Sequence, residues 1–390
     1  MSTHDLYAVP ADLATWELAA TGHARFTWEY DAGRDRLLSL YQRGKDKQWD
    51  ATDRIDWDVE VDPANPLGLP SGTNPLHGTD LWDGMDPDGR RDMGRHVMAW
   101  QFSQFLHGEQ AAMLCSARIV ESVPDLDAKF YAATQVMDEA RHAETYARFL
   151  KDKVGLAYPI NPSLKSLLDN TLSDSRWDMP YLGMQVLIEG LALAAFGVLR
   201  DLTSQPLAKQ ILAYVMADEA RHVAFGRIAL TERYADLSAA ERADREDFVL
   251  DGCHLMNERF RGEEVWANLG LDVSACAVAT DRSPYMRAFR AQLFSRIVPV
   301  VKDIGLWSDR MRDGFDQLGV LAHEGIDLDA LMLQDERTAE AMDAARLAEQ
   351  AEMTVRSAEV DATIAAGSEA DVSRGAALPP DAAYPQQVRS

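Results

Sequence analysis

The sequence predicts an all-α protein organised around a bundle of long helices. Glycine and proline are scarce, at 24 and 16 of 390 residues, and this composition favours helices over sheets. Apolar residues at three- and four-residue steps, with proline near several starts, predict six successive helices. A pentapeptide that occurs twice within these helices is the third observation. The predicted helices lie at 90–122, 124–153, 178–203, 205–235, 239–266 and 283–303.

The chain divides into four predicted parts, because composition changes on both sides of the helical region. They are an N-terminal helix and Trp/Pro-rich covering segment at 1–88, a helical core at 89–305, C-terminal helices at 306–358 and a tail at 359–390. The tail is expected to be disordered, since it has few large apolar groups.

The N-terminal part is expected to pack on the core. A helix is predicted at 25–49, and residues 62–88 are rich in proline, glycine, asparagine and aspartate, which indicates irregular loop. Five tryptophans in this part favour contact with the main body over a free segment. They are Trp16, Trp28, Trp49, Trp57 and Trp82.

Charge and cysteine content exclude several classes of function. A formal net charge of −24 and a pI near 4.7 disfavour nucleic acids and membrane surfaces as partners. Cys115, Cys253 and Cys276 lie far apart, which fits a reducing cytoplasm, and the N-terminus shows no signal-peptide pattern. The most apolar stretch, 184–199, is short for a membrane span and contains Glu189, so it is interpreted as a buried helix with a functional carboxylate.

The pentapeptide Asp-Glu-Ala-Arg-His occurs at 138–142 and again at 218–222, an offset of 218 − 138 = 80 residues. Two further glutamates keep that offset, because Glu109 lies 30 residues before Glu139 and Glu189 lies 30 before Glu219. The core therefore contains two copies of one helix with a glutamate followed by a helix with Glu-x-x-His.

This spacing matches the chemistry of a two-metal site. Residues three apart on a helix share a face, so each Glu-x-x-His can bind one ion. A 30-residue return brings the other glutamate level with it across an antiparallel pair, where it completes or bridges the coordination. Four carboxylates balance two divalent cations, and ligands rich in oxygen favour iron or manganese. The metal ligands predicted are Glu109, Glu139, His142, Glu189, Glu219 and His222. The competing interpretation is a buried salt-bridge network in which Arg141 and Arg221 neutralise glutamates.

The pattern resembles the di-iron carboxylate ferritin-like superfamily, with bacterial multicomponent monooxygenases and the ribonucleotide reductase radical subunit as the nearest pattern matches. The resemblance covers about residues 95–235 and implies a ferritin-like four-helix bundle with additional N- and C-terminal helices. It also implies that Asp138 and Asp218 accept hydrogen bonds from the histidines across the pair, with Arg141 and Arg221 holding the aspartates. The alternative for these four residues is ordinary surface charge.

The two copies differ where function can diverge. Tyr146 lies one turn beyond His142, and its counterpart is Gly226; the resemblance makes Tyr146 a candidate for oxidation or for a hydrogen bond to a ligand, against a plain core role. Leu193 stands where monooxygenases usually carry threonine. Small residues near it (Gly190, Ala192, Ala194, Ala195, Gly197) leave room either for a substrate cavity or for close helix packing. The remaining candidates, Cys115, His96, His107, His254 and His323, are interpreted as structural or surface residues.

The resemblance implies an O2-activating di-iron oxygenase or oxidase that acts on a small organic substrate by hydroxylation, N-oxygenation or desaturation. The expected cofactor is two iron ions, or a manganese–iron pair, with O2 as co-substrate. Electrons are expected from a reductase or ferredoxin, and a homodimer is a further expectation. The alternative is a ferritin-like metal protein without oxygenase activity, which stores or oxidises iron or generates a tyrosyl radical.

Overall fold

A computed structural model describes residues 34–375, together with Ala8 and Ala24, and the side chains of this range as far as Val360. These residues form helices, turns and loops, with no β-strand among them. The all-α prediction is therefore confirmed. The main helices are α1 (Asp35–Asp46), α2 (Pro87–Ser122), α3 (Leu126–Phe149), α4 (Pro162–Ser173), α5 (Tyr181–Leu202), α6 (Pro206–Tyr234), α7 (Ala239–Glu258), α8 (Glu263–Asn268), α9 (Val273–Arg282), α10 (Pro284–Leu293), α11 (Ile297–Asp303), α12 (Asp309–Gln317) and α13 (Leu328–Gly375). Shorter turns lie at Ala51–Arg54, Ser71–Thr73, Asp80–Asp83, Leu150–Val154, Arg259–Arg261 and Leu321–Gly325.

Four helices, α2, α3, α5 and α6, form the central bundle. Helix α2 packs along α3, α5 packs along α6, and further contacts join α3 to α6 and α2 to α5. Three-residue connections, at 123–125 and 203–205, separate the members of each pair, so each pair is antiparallel. This is the ferritin-like bundle expected from the sequence.

Helix α1 lies against α3 and α6. The helix predicted at 25–49 is shorter in the structure, because it begins at Asp35 and ends at Asp46. Residues 25–33, and with them Trp28, lie outside the described residues, as does Trp16. Trp57 is buried, which agrees with the packing expected of this segment.

Helix α5 begins with π-helical turns at Tyr181–Ile188 and continues as an α-helix from Glu189. π-helical turns occur often at functional sites, and here they come directly before a predicted metal ligand. The segment Tyr181–Leu202 has a mean hydropathy of 1.9, enough for a membrane span by composition, but 83% of that window is buried inside the protein. Its apolar character therefore fits its place in the buried core of the bundle.

Two predicted helices are interrupted. The helix predicted at 239–266 breaks at Gly262, whose φ of 61° lies in the left-handed region that terminates helices. The helix predicted at 283–303 is divided by residues 294–296 into α10 and α11. Pattern alone did not reveal either break, because the apolar spacing continues across both.

The C-terminal prediction needs one correction. Helix α13 continues past residue 359, where a disordered tail is predicted, and ends at Gly375. Alanine and glutamate keep the helix propensity of this stretch high although large apolar groups are few. Residues 376–390 lie outside the described residues. The chain forms two compact units that divide between Glu336 and Arg337, and the four-part division stays a prediction.

Candidate metal centre

The bundle brings six acidic and imidazole side chains together in its buried core. Glu109 comes from α2, Glu139 and His142 from α3, Glu189 from α5, and Glu219 and His222 from α6. All six are buried, and they form two overlapping groups whose candidate ligand atoms lie within 4.8 Å of one another. One group contains Glu109, Glu139, His142 and Glu219; the other contains Glu139, Glu189 and His222.

Glu139 and Glu219 lie between the two histidines. Nδ1 of His142 is 3.4 Å from Oε2 of Glu139 and 3.2 Å from Oε1 of Glu219. Nδ1 of His222 is 3.1 Å from Oε1 of Glu139 and 3.5 Å from Oε2 of Glu219. Glu109 approaches only the His142 half, at 3.4 Å from Nδ1. Glu139 and Glu219 therefore each lie within 3.5 Å of both imidazoles, whereas Glu109 lies near only one of them.

The other nitrogen of each histidine contacts an aspartate of the opposite motif. Nε2 of His142 is 3.1 Å from Oδ2 of Asp218, and Nε2 of His222 is 3.2 Å from Oδ2 of Asp138. A carboxylate in this position accepts the Nε2 proton, which leaves the Nδ1 lone pair facing the glutamates. Arg141 donates to both aspartates, and Arg221 donates to Asp218. These are the crossed contacts that the resemblance implies.

Several polar atoms at the centre of the cluster have no hydrogen-bond partner. Unpartnered polar atoms are costly inside a protein unless a bound cation or another partner satisfies them. Their position between the two histidines fits a pair of divalent cations. They are Oε2 of Glu139, Glu189 and Glu219, and Nδ1 of His142 and His222.

The protonation of the cluster follows from burial and crowding. Burial, reinforced by the charge of Glu219, raises the pKa of Glu109 and of Glu189 well above the ordinary value of a glutamate. Burial alone would lower the pKa of His142 and His222. A hydrogen bond to Asp218 is the main effect that opposes burial at His142, and the charge of Glu139 is the main one at His222. As a result the pKa of each imidazole is raised well above its ordinary value. In the absence of metal the cluster therefore binds extra protons.

A glutamine that the sequence analysis missed links two of the carboxylates. Nε2 of Gln135 donates to Oε1 of Glu139 at 2.9 Å and to Oε1 of Glu189 at 2.8 Å. Its own Oε1 lies 3.4 Å from Nε2 of Gln185. Gln135 lies one turn before Glu139 on α3, so helical spacing from the motif could have identified it.

The residues after α1 were also missed as part of the site. Nε2 of Gln48 donates to Asp138 at 2.7 Å, and Nε1 of Trp49 donates to Asp218 at 2.8 Å. Arg141 lies over the Trp49 ring, 4.7 Å from its centroid. Consecutive residues of the N-terminal segment therefore hold the two aspartates, and no local sequence signal predicts a contact over this separation.

The two halves of the cluster differ in their surroundings. Tyr146 is fully buried among Phe102, Phe105 and Phe196, with ring centroids 5.7 to 6.0 Å away, and its hydroxyl has no hydrogen-bond partner. Burial, reinforced by Glu109, raises its pKa well above the ordinary value of a tyrosine. The predicted alternative of a hydrogen bond from Tyr146 to a ligand is not seen, whereas a redox role stays a prediction.

At the equivalent position of the second copy, Gly226 lets Gln185 approach closely. A Cβ at Gly226 would lie 2.6 Å from Cβ of Gln185, closer than real side chains come. At this position the His222 half therefore has the side chain of Gln185 where the His142 half has the ring of Tyr146, although Tyr131 also lies near His222, with ring centroids 6.5 Å apart. The two halves of the cluster therefore differ in structure where the two copies differ in sequence, at Tyr146 and Gly226.

A cavity of about 390 Å³, including the open space at its mouth, adjoins the cluster. Glu109, Glu189 and Glu219 line one side, and Ala192 is the small residue of α5 that borders it. Gly190 does not, because a Cβ there would meet Ile297 of α11 at 3.2 Å. Small residues on α5 therefore serve both predicted purposes, at different positions. The remaining lining residues are Gln104, Phe105, Gly108, Ala112, Leu164, Met184, Ile188, Phe196 and Arg259.

Residues set aside in the sequence analysis lie outside the two metal-binding groups. His107 contacts the backbone oxygen of Tyr158 at 2.8 Å, and His96 contacts the hydroxyl of the same tyrosine at 2.6 Å. His323 contacts a backbone oxygen. Cys115 is buried, with Sγ 3.5 Å from a backbone oxygen.

Comparison with known proteins identifies one family. The model of the family described as P-aminobenzoate N-oxygenase AurF matches residues 31–305, well over half of the chain. No curated protein sequence matches the chain.

Solved structures with a related fold are distant in sequence. An R2-like ligand-binding oxidase with an aerobically reconstituted metal cofactor is 14% identical, with a TM-score of 0.46 over 73% of this chain and 99% of that one. The ribonucleotide reductase Rnr4 homodimer from Saccharomyces cerevisiae is 12% identical, with a TM-score of 0.45 over 70% of this chain and 82% of that one. With TM-scores this low, the assignment rests on the family match and on the geometry of the site.

Proposed function

This chain belongs to the P-aminobenzoate N-oxygenase AurF family, and from that premise we propose that it inserts oxygen at the amine nitrogen of a small aromatic substrate. Family membership makes it an O2-activating di-iron oxidoreductase. The observation that carries the proposal is the cluster of four carboxylates and two imidazoles, whose unpartnered atoms face one another beside a cavity.

The proposed metal ligands follow from the distances. Glu109 and His142 would complete one metal position, Glu189 and His222 the other, and Glu139 and Glu219 would bridge them. Two iron ions, or a manganese–iron pair, suit this oxygen-rich set with one imidazole each. When bound, the metal pair supplies the binding and reductive activation of O2.

The protein itself orients these groups and keeps water away. Asp138 and Asp218 hold the Nε2 protons of the histidines, so that both Nδ1 atoms stay available to the metals. Gln135 fixes the rotamers of Glu139 and Glu189 through its amide. Aromatic rings around Tyr146 exclude water from the His142 half, which protects a reactive oxidant from side reactions.

The first oxygenation step balances with a two-electron donor. An arylamine, O2, two electrons and two protons give an arylhydroxylamine and water, so one N–H bond is replaced by N–O–H and the O–O bond breaks. We propose that a separate reductase or ferredoxin supplies the electrons. A cytoplasmic location and a homodimeric assembly are also proposed, on the sequence expectations alone.

Isotope labelling tests this proposal. Iron-loaded, chemically reduced protein should convert 4-aminobenzoate to its hydroxylamine under ¹⁸O2, with one labelled oxygen detected by mass spectrometry. Glu139→Ala and His222→Ala should bind less than two irons per chain and form no labelled product. Iron oxidation without any labelled product would favour a ferroxidase. A stable radical signal that is lost in Tyr146→Phe, without labelled product, would favour a radical-generating subunit.

A further inference from the structure

Arg259 is a buried cation that has no anionic partner among the described residues. Arg259 is only 6% exposed, and none of the described residues forms a salt bridge or a hydrogen bond with its guanidinium. Its Nε is fully buried and unpartnered. Burial lowers the pKa of Arg259 to about 10, so the group still carries its charge at neutral pH. A buried charge without a partner costs stability, and its presence needs a reason.

The acidic group that acts on Arg259 through its charge, Glu264, is already engaged elsewhere. Glu264 attracts Arg259 through space, but Oε1 of Glu264 accepts hydrogen bonds from Nε1 of Trp100 and Nδ2 of Asn161, both at 2.7 Å. Contact between Arg259 and the Phe260 ring, at 4.7 Å from the centroid, shields the guanidinium without neutralising it. The positive charge therefore stays available to a ligand.

Arg259 also lines the cavity beside the candidate metal centre. Arg259 belongs to the short turn between α7 and α8, and the cavity wall also contains Glu109, Glu189 and Glu219. A molecule in this cavity thus has candidate metal ligands along one part of the wall and an unpaired cation along another. The volume of about 390 Å³ includes the open space at the mouth of the cavity, so a ligand could enter from solvent.

We propose that Arg259 determines substrate specificity by binding a carboxylate carried by the substrate, while the group to be oxidised lies toward Glu109 and Glu189. The two terminal nitrogens of a guanidinium form a fork that matches the two oxygens of a carboxylate. A substrate with a carboxylate across a ring from its reacting group would pair the buried cation. This inference rests on the proposed function for the identity of the reacting group, but not for the anion site itself.

Binding to the metal-loaded protein tests the anion site without catalysis. Benzoate and benzamide have the same shape and differ in charge. Benzoate should bind to the wild-type protein more tightly than benzamide, and Arg259→Met should weaken benzoate about 10- to 100-fold while leaving benzamide within about twofold. Arg259→Lys should retain part of the affinity. Arg261→Gln is the matched control, because Arg261 is 42% exposed and pairs with Asp281, and it should leave both affinities unchanged.

Stability measurements separate this role from a purely structural one. Because Arg259 is buried and unpaired, Arg259→Met should unfold at the same or a higher temperature than the wild type. If Arg259→Met lowers the unfolding temperature but leaves the benzoate affinity unchanged, the proposal is overturned. Arg259 would then be a structural residue, and benzoate would bind to the metals instead.

Turnover measurements distinguish the inference from the proposed function. Arg259→Met should raise KM for 4-aminobenzoate about 10- to 100-fold and leave KM for 4-aminobenzamide unchanged. If the wild type binds benzoate through Arg259 but forms no oxygenated product, the anion site stands and the proposed function fails. If the protein oxygenates both amines and Arg259→Met changes neither KM, the proposed function stands and the anion site fails.

Discussion

Nε2 of His142 on α3 lies 3.1 Å from Oδ2 of Asp218 on α6, across the centre of the bundle. The reciprocal pair, His222 and Asp138, has the same geometry at 3.2 Å. Each repeated motif therefore supplies a candidate ligand to one half of the centre and an orienting carboxylate to the other. Neither motif can be removed without disturbing both halves.

Trp49→Phe tests the contact that supports Asp218 from outside the bundle. The substitution removes the hydrogen bond from Nε1 of Trp49 to this charged acceptor, which is expected to cost about 1–2 kcal/mol of unfolding free energy in the metal-free protein. Trp57→Phe is the matched control, because Nε1 of Trp57 donates to the neutral backbone oxygen of Ala51. Urea unfolding of the metal-free protein should show that Trp49→Phe is the more destabilising of the two. The Trp49→Phe variant should also retain less metal. Equal metal retention in the two variants would contradict a role for Trp49 in holding Asp218.

Metal loading is expected to release protons. Burial and the charge of Glu219 raise the pKa of Glu109 and Glu189, so these groups hold protons in the metal-free protein near neutral pH. The pKa of His142 and of His222 is raised as well. Cations displace such protons, and a pH indicator in weakly buffered solution should record roughly two or more protons released per chain. Metal uptake without proton release would contradict this account of the cluster.

The same shifts set the pH dependence of the metal-free protein. A group whose pKa is raised by folding stabilises the fold below its unfolded pKa, and that contribution is lost as pH rises through the folded pKa. For the glutamates the loss begins above 4.5, and for the histidines above 6.5. The unfolding temperature of the metal-free protein should therefore fall between about pH 6 and about pH 8, and metal should abolish most of the fall. A rise over this range would contradict the prediction.

Gln135→Leu tests the amide that joins Glu139 and Glu189. Loss of an outer partner of a metal ligand typically weakens metal binding about 10- to 100-fold, and here the His222 half should be affected more. Thr145→Val is the control on the same helix, because the Thr145 hydroxyl donates only to the backbone oxygen of Arg141. Titration with Mn²⁺ followed by electron paramagnetic resonance measures both sites. Equal affinities in the two variants would exclude a role for Gln135.

Gly226→Ala tests the close approach of Gln185. The added methyl group would lie 2.6 Å from Cβ of Gln185, so overpacking should destabilise the protein by about 1–3 kcal/mol. Gly197→Ala is the matched control within a helix of the same bundle, because its methyl group would meet only the flexible end of Met216 at 3.4 Å. That control should be neutral or stabilising, since alanine favours helix over glycine. Thermal unfolding of both variants measures the difference. An unchanged unfolding temperature for Gly226→Ala would show that α5 and α6 can move apart at this point.

The repeat explains why the sequence predicted so much of this site. Residues such as Glu139 and His142 are close in the chain, and the constant 80-residue offset relates them to Glu219 and His222 without knowledge of the fold. The ferritin-like bundle and the crossed aspartate contacts were expected from the resemblance to the di-iron carboxylate superfamily, which this repeated pattern made apparent.

Contacts that depend on one copy alone were not predictable. Trp49 reaches Asp218 over 169 residues, and Arg259 reaches the cavity from a turn created by the break at Gly262. Neither position repeats at the 80-residue offset, and neither carries a local pattern. Their roles depend on how separate segments pack, which periodicity does not encode.

The central claim is that six side chains hold two metal ions. Crystals of protein from iron-supplemented cells, measured with X-rays above and below the iron absorption edge, test it most directly. The account predicts two anomalous peaks within the bundle, one beside Glu109 and His142 and one beside Glu189 and His222, with Glu139 between them. An absence of peaks, or a single peak elsewhere on the acidic surface, would contradict it.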